Sequence, residues 1–564
     1  MSNTAATEAI QSPLTVIARL FEQHVQDKEP STFDPSDHFA NLFATTDQRS
    51  QIPAINSVSV QRVPKNTLVR FRCMVQDTGL GPEMFVSAYK SNSGTELKCY
   101  RYTDDPIDSD AAIFDESSNY LCERFPVYCV SPPGETDWVK DRLYPTELST
   151  SFDGLSIENL ESKKDDKKFP LPETEHSAAI VKFYQSAEAL RVGQLVDVIG
   201  VMGAVQPEDT EVDQFNPGMS SLSGVPVIHA ITYQSLEGSA GVPFGSEDLD
   251  NMLHQARDIR AKLIDYIAAV FGGDKLVAEF VLLQLISRVT AKHQDVKIGQ
   301  FTLNVSNFPD VAQNGKSSSY YALKNTASKL VASMIERLAL QIVSLPLTIE
   351  GLNAGRFSPK SEYENLQAGL LQLVDGTSLL IDETSLTEGT LNDTGVRNVQ
   401  ALNNVIQNQS LKYDFPYSQF DFDTDISIIS LSSGKSILPN HCSVRLEPIY
   451  NLAEIDEPLP NLPAETMNIF RMYLQAAKHS AYDIPAEVSE YIQSNFVNER
   501  KSASESGKTL PTQEDLMLRV NLARLVSLSF GEKTLKKESY DYAKSLDESR
   551  KSRLHGSEKQ KDAK

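Results

Sequence analysis

The sequence predicts a multidomain chain of α+β and α/β type, with a β-rich domain first, a parallel α/β domain second and helices last. Three observations carry this expectation. From residue 66 short runs of alternating apolar and polar residues are separated by Gly/Pro turns. Beyond about residue 247 apolar residues recur at helical spacing, and continuous apolar runs of strand length follow. From about residue 463 the helical pattern returns. A chain of 564 residues is long enough for two to four domains, each with a sizeable core.

Residues 1–55 carry one short amphipathic stripe, Leu14, Ile17, Phe21 and Val25, in polar, Pro-containing sequence. This predicts a small helical docking segment, packed either on a partner or on the chain itself. Residues 56–240 hold the runs NTLVRFRCMVQD, MFVSAYK, ELKCYRY, RFPVYCV, AAIVKFY, QLVDVIGVM and VIHAITYQSL. Five or six short strands with uneven loops suit a small β-barrel of the OB type, interrupted by flexible linkers at 149–168 and 207–224. The first linker closes on Lys163, Lys164, Lys167 and Lys168 around two aspartates, a weak nuclear import signal and more simply a solvated stretch.

Residues 245–460 read as the α/β domain. DLDNMLHQARDIRAKLIDYIAAVFG is a helical pattern ending on Gly272-Gly273, a C-cap, and DKLVAEFVLLQLISRV is a helix so apolar that it must be buried. The runs at 300–308, 378–384 and 426–433 are continuous apolar strands of a parallel sheet covered on both faces. A helical lid follows at 461–550, and residues 551–564 read as a disordered charged tail.

Composition narrows the function. Hydrophobic residues make up 40%, ordinary for a globular chain, and the most apolar stretch, Leu276 to Ile286, is interrupted by Glu279 and Gln284. With no secretory pattern at the N-terminus, a soluble intracellular protein is expected. The net charge of −23 repels DNA phosphates, which favours protein partners over direct nucleic-acid binding. Five cysteines, Cys73, Cys99, Cys122, Cys129 and Cys442, form no C-x2-C pair, so neither a zinc knuckle nor a disulfide framework is expected. Nine histidines show no ligand spacing.

The richest six residues are Ser378-Leu379-Leu380-Ile381-Asp382-Glu383. An apolar strand ending in Asp-Glu is the Walker B pattern, where Asp holds the magnesium shell and Glu polarises the attacking water. The phosphate loop should then follow the strand at 300–308, and Gly315-Lys316-Ser317 supplies its ending. The position of its first glycine is Asp310. A carboxylate at about 4 Å from a phosphate is repelled by roughly 4 kcal/mol at an effective dielectric of about 20. Nucleotide hydrolysis is not expected, and the positions Asp310, Gly315, Lys316, Ser317, Asp382 and Glu383 read as a degenerate site with no metal or cofactor.

Several stretches together resemble the minichromosome maintenance complex-binding protein family. They are LVRFRCMVQD (68–77), FPVYCVSPPGETDWVK (125–140), FPLPETEHSAAIVKFY (169–184), LRVGQLVDVIGVM (190–202), VAEFVLLQLIS (277–287), SLLIDETSLTEGTLNDTGVRNVQALNNVI (378–406) and VNLARLVSLS (520–529). The resemblance implies a nuclear protein, partly cytoplasmic, that binds subunits of the minichromosome maintenance helicase. It further implies roles in helicase assembly and unloading and in sister-chromatid cohesion, with chromatin association indirect and no catalytic residues. The barrel and the α/β domain also resemble those of the helicase subunits, the latter as a degenerate AAA+-like core. Aligning Arg524 with the second arginine of their lid helix puts Met517 where a sensor arginine belongs. A subunit mimic without ATP turnover is the expected function. Two alternatives are an atypical AAA+ ATPase using Lys316, Ser317, Asp382 and Glu383, and a single-stranded DNA binder stacking bases on Phe85, Tyr89, Tyr100 and Tyr102.

Overall fold

In a computed structural model the described residues are 2–57, 63–91, 96–106, 112–113, 120–144, 166–184, 190–205, 224–293, 296–310, 321–362, 365–450, 452, 459–507 and 509–561. The chain divides into two compact units. The first holds residues 1–241 with 359–374 and 413–420; the second holds 242–358, 375–412 and 421–564.

The first unit begins with four helices, α1 (Ser2–Gln11), α2 (Pro13–His24), α3 (Ser36–Leu42) and α4 (Thr46–Arg49). The predicted stripe is real: Val16, Ile17 and Phe21 are the buried face of α2, with Leu14 and Val25 packed beside them. That face meets Leu68, Ala88, Tyr102, Ile199, Val201 and Ile231 of the β domain. The N-terminal segment therefore packs on the chain's own body. Phe21, in the stripe read from sequence as packed either on a partner or on the chain itself, is only 2% exposed.

The strands are β1 (Leu68–Asp77), β2 (Glu83–Ser91), β3 (Leu97–Cys99), β4 (Ala112–Ile113), β5 (Tyr120–Val130), β6 (Ala178–Phe183), β7 (Leu195–Val205) and β8 (Pro226–Ser235), with α5 (Asp137–Leu143) after β5. Neighbours run β1-β7-β8-β6-β5, and β5 returns to β1 through Met74↔Val130 and Val75↔Cys129. Five strands thus pair in a ring, and β2 to β4 extend it from β5. Val69, Phe71, Cys73 and Val75 of β1 enter one core with Cys129, Val181 and Val198. Although apolar and polar residues alternate along it, all ten residues of β1 are buried. Arg70 pairs with Asp197 at 2.8 Å and Arg72 with Glu135 at 3.2 Å, so ion pairs cover the second face. Glu135 belongs to the PPGETDW stretch, and its burial raises its pKa against the pull of Arg72. Gly200 sits where β7 bulges against β8, and a Cβ there would lie 2.4 Å from the His229 carbonyl oxygen.

In the second unit the first predicted helix breaks at Gln255 into α6 (Ser246–His254) and α7 (Ala256–Val270). Gly272 and Gly273 follow at φ 64° and 84°, as the C-cap expectation requires. α8 (Lys275–Leu285) is buried from Val277 to Leu285. The hairpin of β9 (Ala291–His293) and β10 (Val296–Ile298) leads to β11 (Leu303–Ser306), α9 (Thr326–Leu338), β12 (Ile342–Pro346) and α10 (Ile349–Ala354). After β13 (Lys360–Glu362) and β14 (Asn365–Gln367) come β15 (Ser378–Asp382), α11 (Asp393–Asn408), β16 (Ser410–Phe415), β17 (Ser418–Asp423), β18 (Ser427–Leu431) and β19 (Cys442–Arg445). The central sheet runs β12-β15-β18-β11-β19 with every pairing parallel. It contains the three predicted strands and two more at its edges.

The C-terminal helices are α12 (Ala464–His479), α13 (Ala486–Glu505), α14 (Gln513–Ser529) and α15 (Lys537–Lys561). Phe470, Tyr473, Leu522, Leu525 and Tyr540 share one core with Leu303, Leu380 and Val444 of the sheet. The lid expected at 461–550 is accordingly part of the same unit as the α/β domain. α15 runs on to Lys561, through most of the stretch read from sequence as a disordered charged tail. Arg553 pairs with Asp274 at 2.6 Å and Lys551 with Asp515 at 2.7 Å.

Two passages the sequence placed inside the α/β domain belong to the first unit. β13 and β14 lie in the passage 359–374, and Lys360 of β13 pairs with Asp414 of β16 in the second passage, 413–420. The last residue of the expected first linker is correspondingly not solvated. Lys168, 1% exposed, donates to Asp77 Oδ2 at 2.7 Å and to the Leu366 carbonyl at 3.3 Å, with its Nζ 5.0 Å from the Tyr128 ring centroid. The Leu366 amide donates to the same Asp77 oxygen. Residues 145–165 and 206–223, most of both expected linkers, lie outside the described residues.

Candidate functional site

Parallel registers place Pro346, Asp382 and Leu431 side by side, with Val305 opposite Leu431, at the carboxyl edge of the second unit's sheet. In open parallel sheets this edge is where ligands bind. The stretch SLLID forms β15 because five consecutive residues are buried between neighbours on both sides, and the chain turns at once into a short 3-10 turn, Glu383–Ser385. Asp382 caps that turn: its Oδ1 accepts from Thr384 N at 2.9 Å and from Thr384 Oγ1 at 2.6 Å. Asn325, which caps α9, donates to Thr384 Oγ1 at 3.1 Å and to the Pro309 carbonyl at 2.7 Å.

Glu383 is consumed locally as well. Its Oε1 accepts from Ser436 Oγ at 2.5 Å and its Oε2 from the Ile437 amide at 2.9 Å, both in the loop after β18. Burial raises the Glu383 pKa, opposed by these two bonds. Asp310 accepts from Ser433 Oγ, which ties the loop after β11 to the loop after β18. Gly315, Lys316 and Ser317 lie outside the described residues. The structure thus brings Asp310, Asp382 and Glu383 to one edge. Three of the four oxygens of Asp382 and Glu383 brace loops; Asp382 Oδ2, buried, has no partner among the described residues. It is the oxygen with capacity to accept a ligand's hydrogen bond or hold a cation.

The lid alignment does not extend this site. Met517 and Arg524 of α14 line a cleft of about 1230 Å3 with Gln300 and His441, which precede β11 and β19. That is the amino edge of a parallel sheet, opposite Asp382, so neither residue faces the acidic pair of its own chain. Arg524 donates to the Gly299 carbonyl at 3.0 Å and to Asn521 Oδ1 at 3.2 Å, and burial lowers its pKa to about 10.

Two of the four base-stacking candidates of the first unit are core. Phe85 and Tyr102 are buried and pack on Tyr184 at ring-centroid distances of 5.0 and 4.5 Å. Tyr89 and Tyr100, half-buried, pack on each other at 6.0 Å. Sequence reasoning missed a polar cluster beside them. Asp104 receives Arg124 at 2.7 Å and Lys182 at 3.0 Å, and faces His229 Nε2 at 3.5 Å. These residues lie on separate strands and loops, and no local spacing signals them.

A model of the Mini-chromosome maintenance replisome factor family matches residues 39–152 and 145–554. The chain belongs to this family. Relatives called "Mini-chromosome maintenance complex-binding protein" align along nearly its whole length. That of Danio rerio is 28% identical and covers 96% of this chain and 97% of its own. The Arabidopsis thaliana relative is 29% identical, with coverages of 92% and 93%, and the Homo sapiens relative is 27% identical, with 97% of each chain covered. Asp310, Asp382 and Glu383 all lie within the second matched segment. Among the described residues no helix is long and apolar enough to cross a membrane.

Proposed function

We propose that this protein is a non-catalytic binding partner of the replicative minichromosome maintenance helicase, offering its subunits a surface like that of one of their own. Relatives along the whole chain are called binders of that complex, which supports the partner. The carrying observation for the absence of turnover is the bonding of Glu383. A glutamate that polarises water needs a free oxygen facing the nucleotide, whereas both of its oxygens hold the loop after β18. Asp310 in the loop after β11 adds a negative charge where phosphates would lie.

Subunit likeness draws on two further features. The ring of five strands supports an OB-type barrel, and the all-parallel sheet with its acidic strand end supports a degenerate AAA+-like core. Action in the nucleus, in helicase assembly and unloading and in cohesion, follows from the same reading. The test mixes the purified full chain with helicase subunits and follows complex formation and ATP turnover together. A stable complex with no turnover by the chain alone supports the proposal. Turnover abolished by Asp382→Asn would establish the ATPase alternative instead.

A further inference from the structure

The hairpin of β16 and β17 leaves an aromatic tip uncovered. Tyr417, in its two-residue turn, is 100% exposed and Phe420 is 55% exposed. β17 is the edge strand of its sheet, and Ser418 to Asp421 are exposed without interruption. The tip is nevertheless firmly built. Tyr413 is buried, Phe415 meets Phe420 edge-on at 5.6 Å, and Gln419 Nε2 donates to Asp414 Oδ1 at 2.7 Å. A fully exposed tyrosine on a braced turn is the kind of group that anchors an interface, since its large ring has few torsions to fix on docking.

Charge selects the partner. From Lys412 to Asp423 one basic residue accompanies three acidic ones, Asp414, Asp421 and Asp423. Lys297 pairs with Asp423, which leaves Asp414 and Asp421 flanking the rings. Phosphates of a nucleic acid or of an anionic membrane are repelled by such a tip; a basic protein surface is attracted.

We propose that this hairpin is a docking finger, with Tyr417 and Phe420 entering an apolar pocket on a partner protein and Asp414 and Asp421 meeting its basic rim. The identity of that partner as a helicase subunit rests on the proposed function. The test measures binding of the full-length protein to purified minichromosome maintenance subunits at low and high salt. Tyr417→Ala and Phe420→Ala each weaken binding by about tenfold or more. Asp414→Lys combined with Asp421→Lys slows association and flattens its salt dependence. Ile449→Ala, at a site 81% exposed, leaves binding unchanged and serves as the control. Unchanged thermal unfolding of each variant shows that the fold is intact. Wild-type affinity in both aromatic variants overturns the finger while leaving the helicase reading in place. If the wild type binds no subunit, the helicase reading falls and the finger falls with it. Displacement of the subunits by single-stranded DNA at the tip overturns the choice of a protein partner.

Discussion

His229 makes the first unit acid-sensitive. It lies on β8, is 0% exposed, and its Nδ1 is 2.7 Å from the Tyr184 hydroxyl. Arg124 and Lys182 share Asp104 and Glu83 around it. Burial above all, against the attraction of Asp104 and with help from Arg124 and Lys182, lowers its pKa from 6.5 to about 3. Between these values the unfolded chain binds a proton that the folded chain refuses. The stability is complete above about pH 6.5 and is lost as pH falls toward about 3. At about 1.4 kcal/mol per pH unit, the loss from pH 7 to pH 5 comes to about 2 kcal/mol. Asp104 and Asp105 also have lowered pKa values, but their losses fall below this window. Trp138, the only tryptophan, lies in α5, so its fluorescence during guanidinium unfolding reports the first unit. His229→Gln, which cannot take up the proton, should flatten the dependence between pH 7 and pH 5. Buried Glu135, whose pKa is raised, acts equally in both proteins, so a wild-type dependence no steeper than that of His229→Gln would overturn this role for His229.

Three further outcomes follow from buried contacts. Lys168→Met leaves the Asp77 charge buried without its cation and should cost about 3–5 kcal/mol by Trp138 unfolding, partly recovered by adding Asp77→Asn; a cost below about 1 kcal/mol would make the pair dispensable. Glu383→Ala removes two bonds to a charged acceptor and should destabilise the second unit by about 2–4 kcal/mol in calorimetry, with no change in ATP turnover. Because burial raises the Glu383 pKa, its contribution falls as pH rises from the ordinary carboxylate value through the raised one, and Glu383→Gln should lack that slope. Gly200→Ala drives a methyl group into the His229 carbonyl and should cost more than about 2 kcal/mol; wild-type unfolding of this variant would show that the β7–β8 bulge can relax.

Elements that bury one face or both along a continuous stretch were legible in the sequence. The α2 stripe, the apolar helix α8, the Gly272-Gly273 cap and the strands β11, β15 and β18 are of this kind. β12 and β19 escaped because IVSLP and CSVR are short and carry a serine or a charge, and only the sheet around them defines them as strands. The burial of the polar residues of β1 was not legible, since nothing local reveals that Arg70 and Arg72 find carboxylates far along the chain. Lys168 misled for the same reason. Its composition is that of a linker, and its partners, Asp77 and Leu366, are distant in sequence. At the candidate site the acidic pair was legible as a motif, whereas the bonds that occupy Glu383 come from Ser436 and Ile437 on another loop. The position of Met517 beside Gln300 and His441 was not legible, because a helix can be aligned by pattern without its packing direction being known.

The most direct test of a helicase partner without turnover is native mass spectrometry of the full chain with the helicase subunits, with phosphate release followed on the same sample. A discrete complex containing this chain is expected, with no phosphate release by the chain alone and no change in the release by the mixture when Asp382→Asn is introduced. Absence of any complex, or phosphate release by the chain alone that Asp382→Asn abolishes, would contradict it.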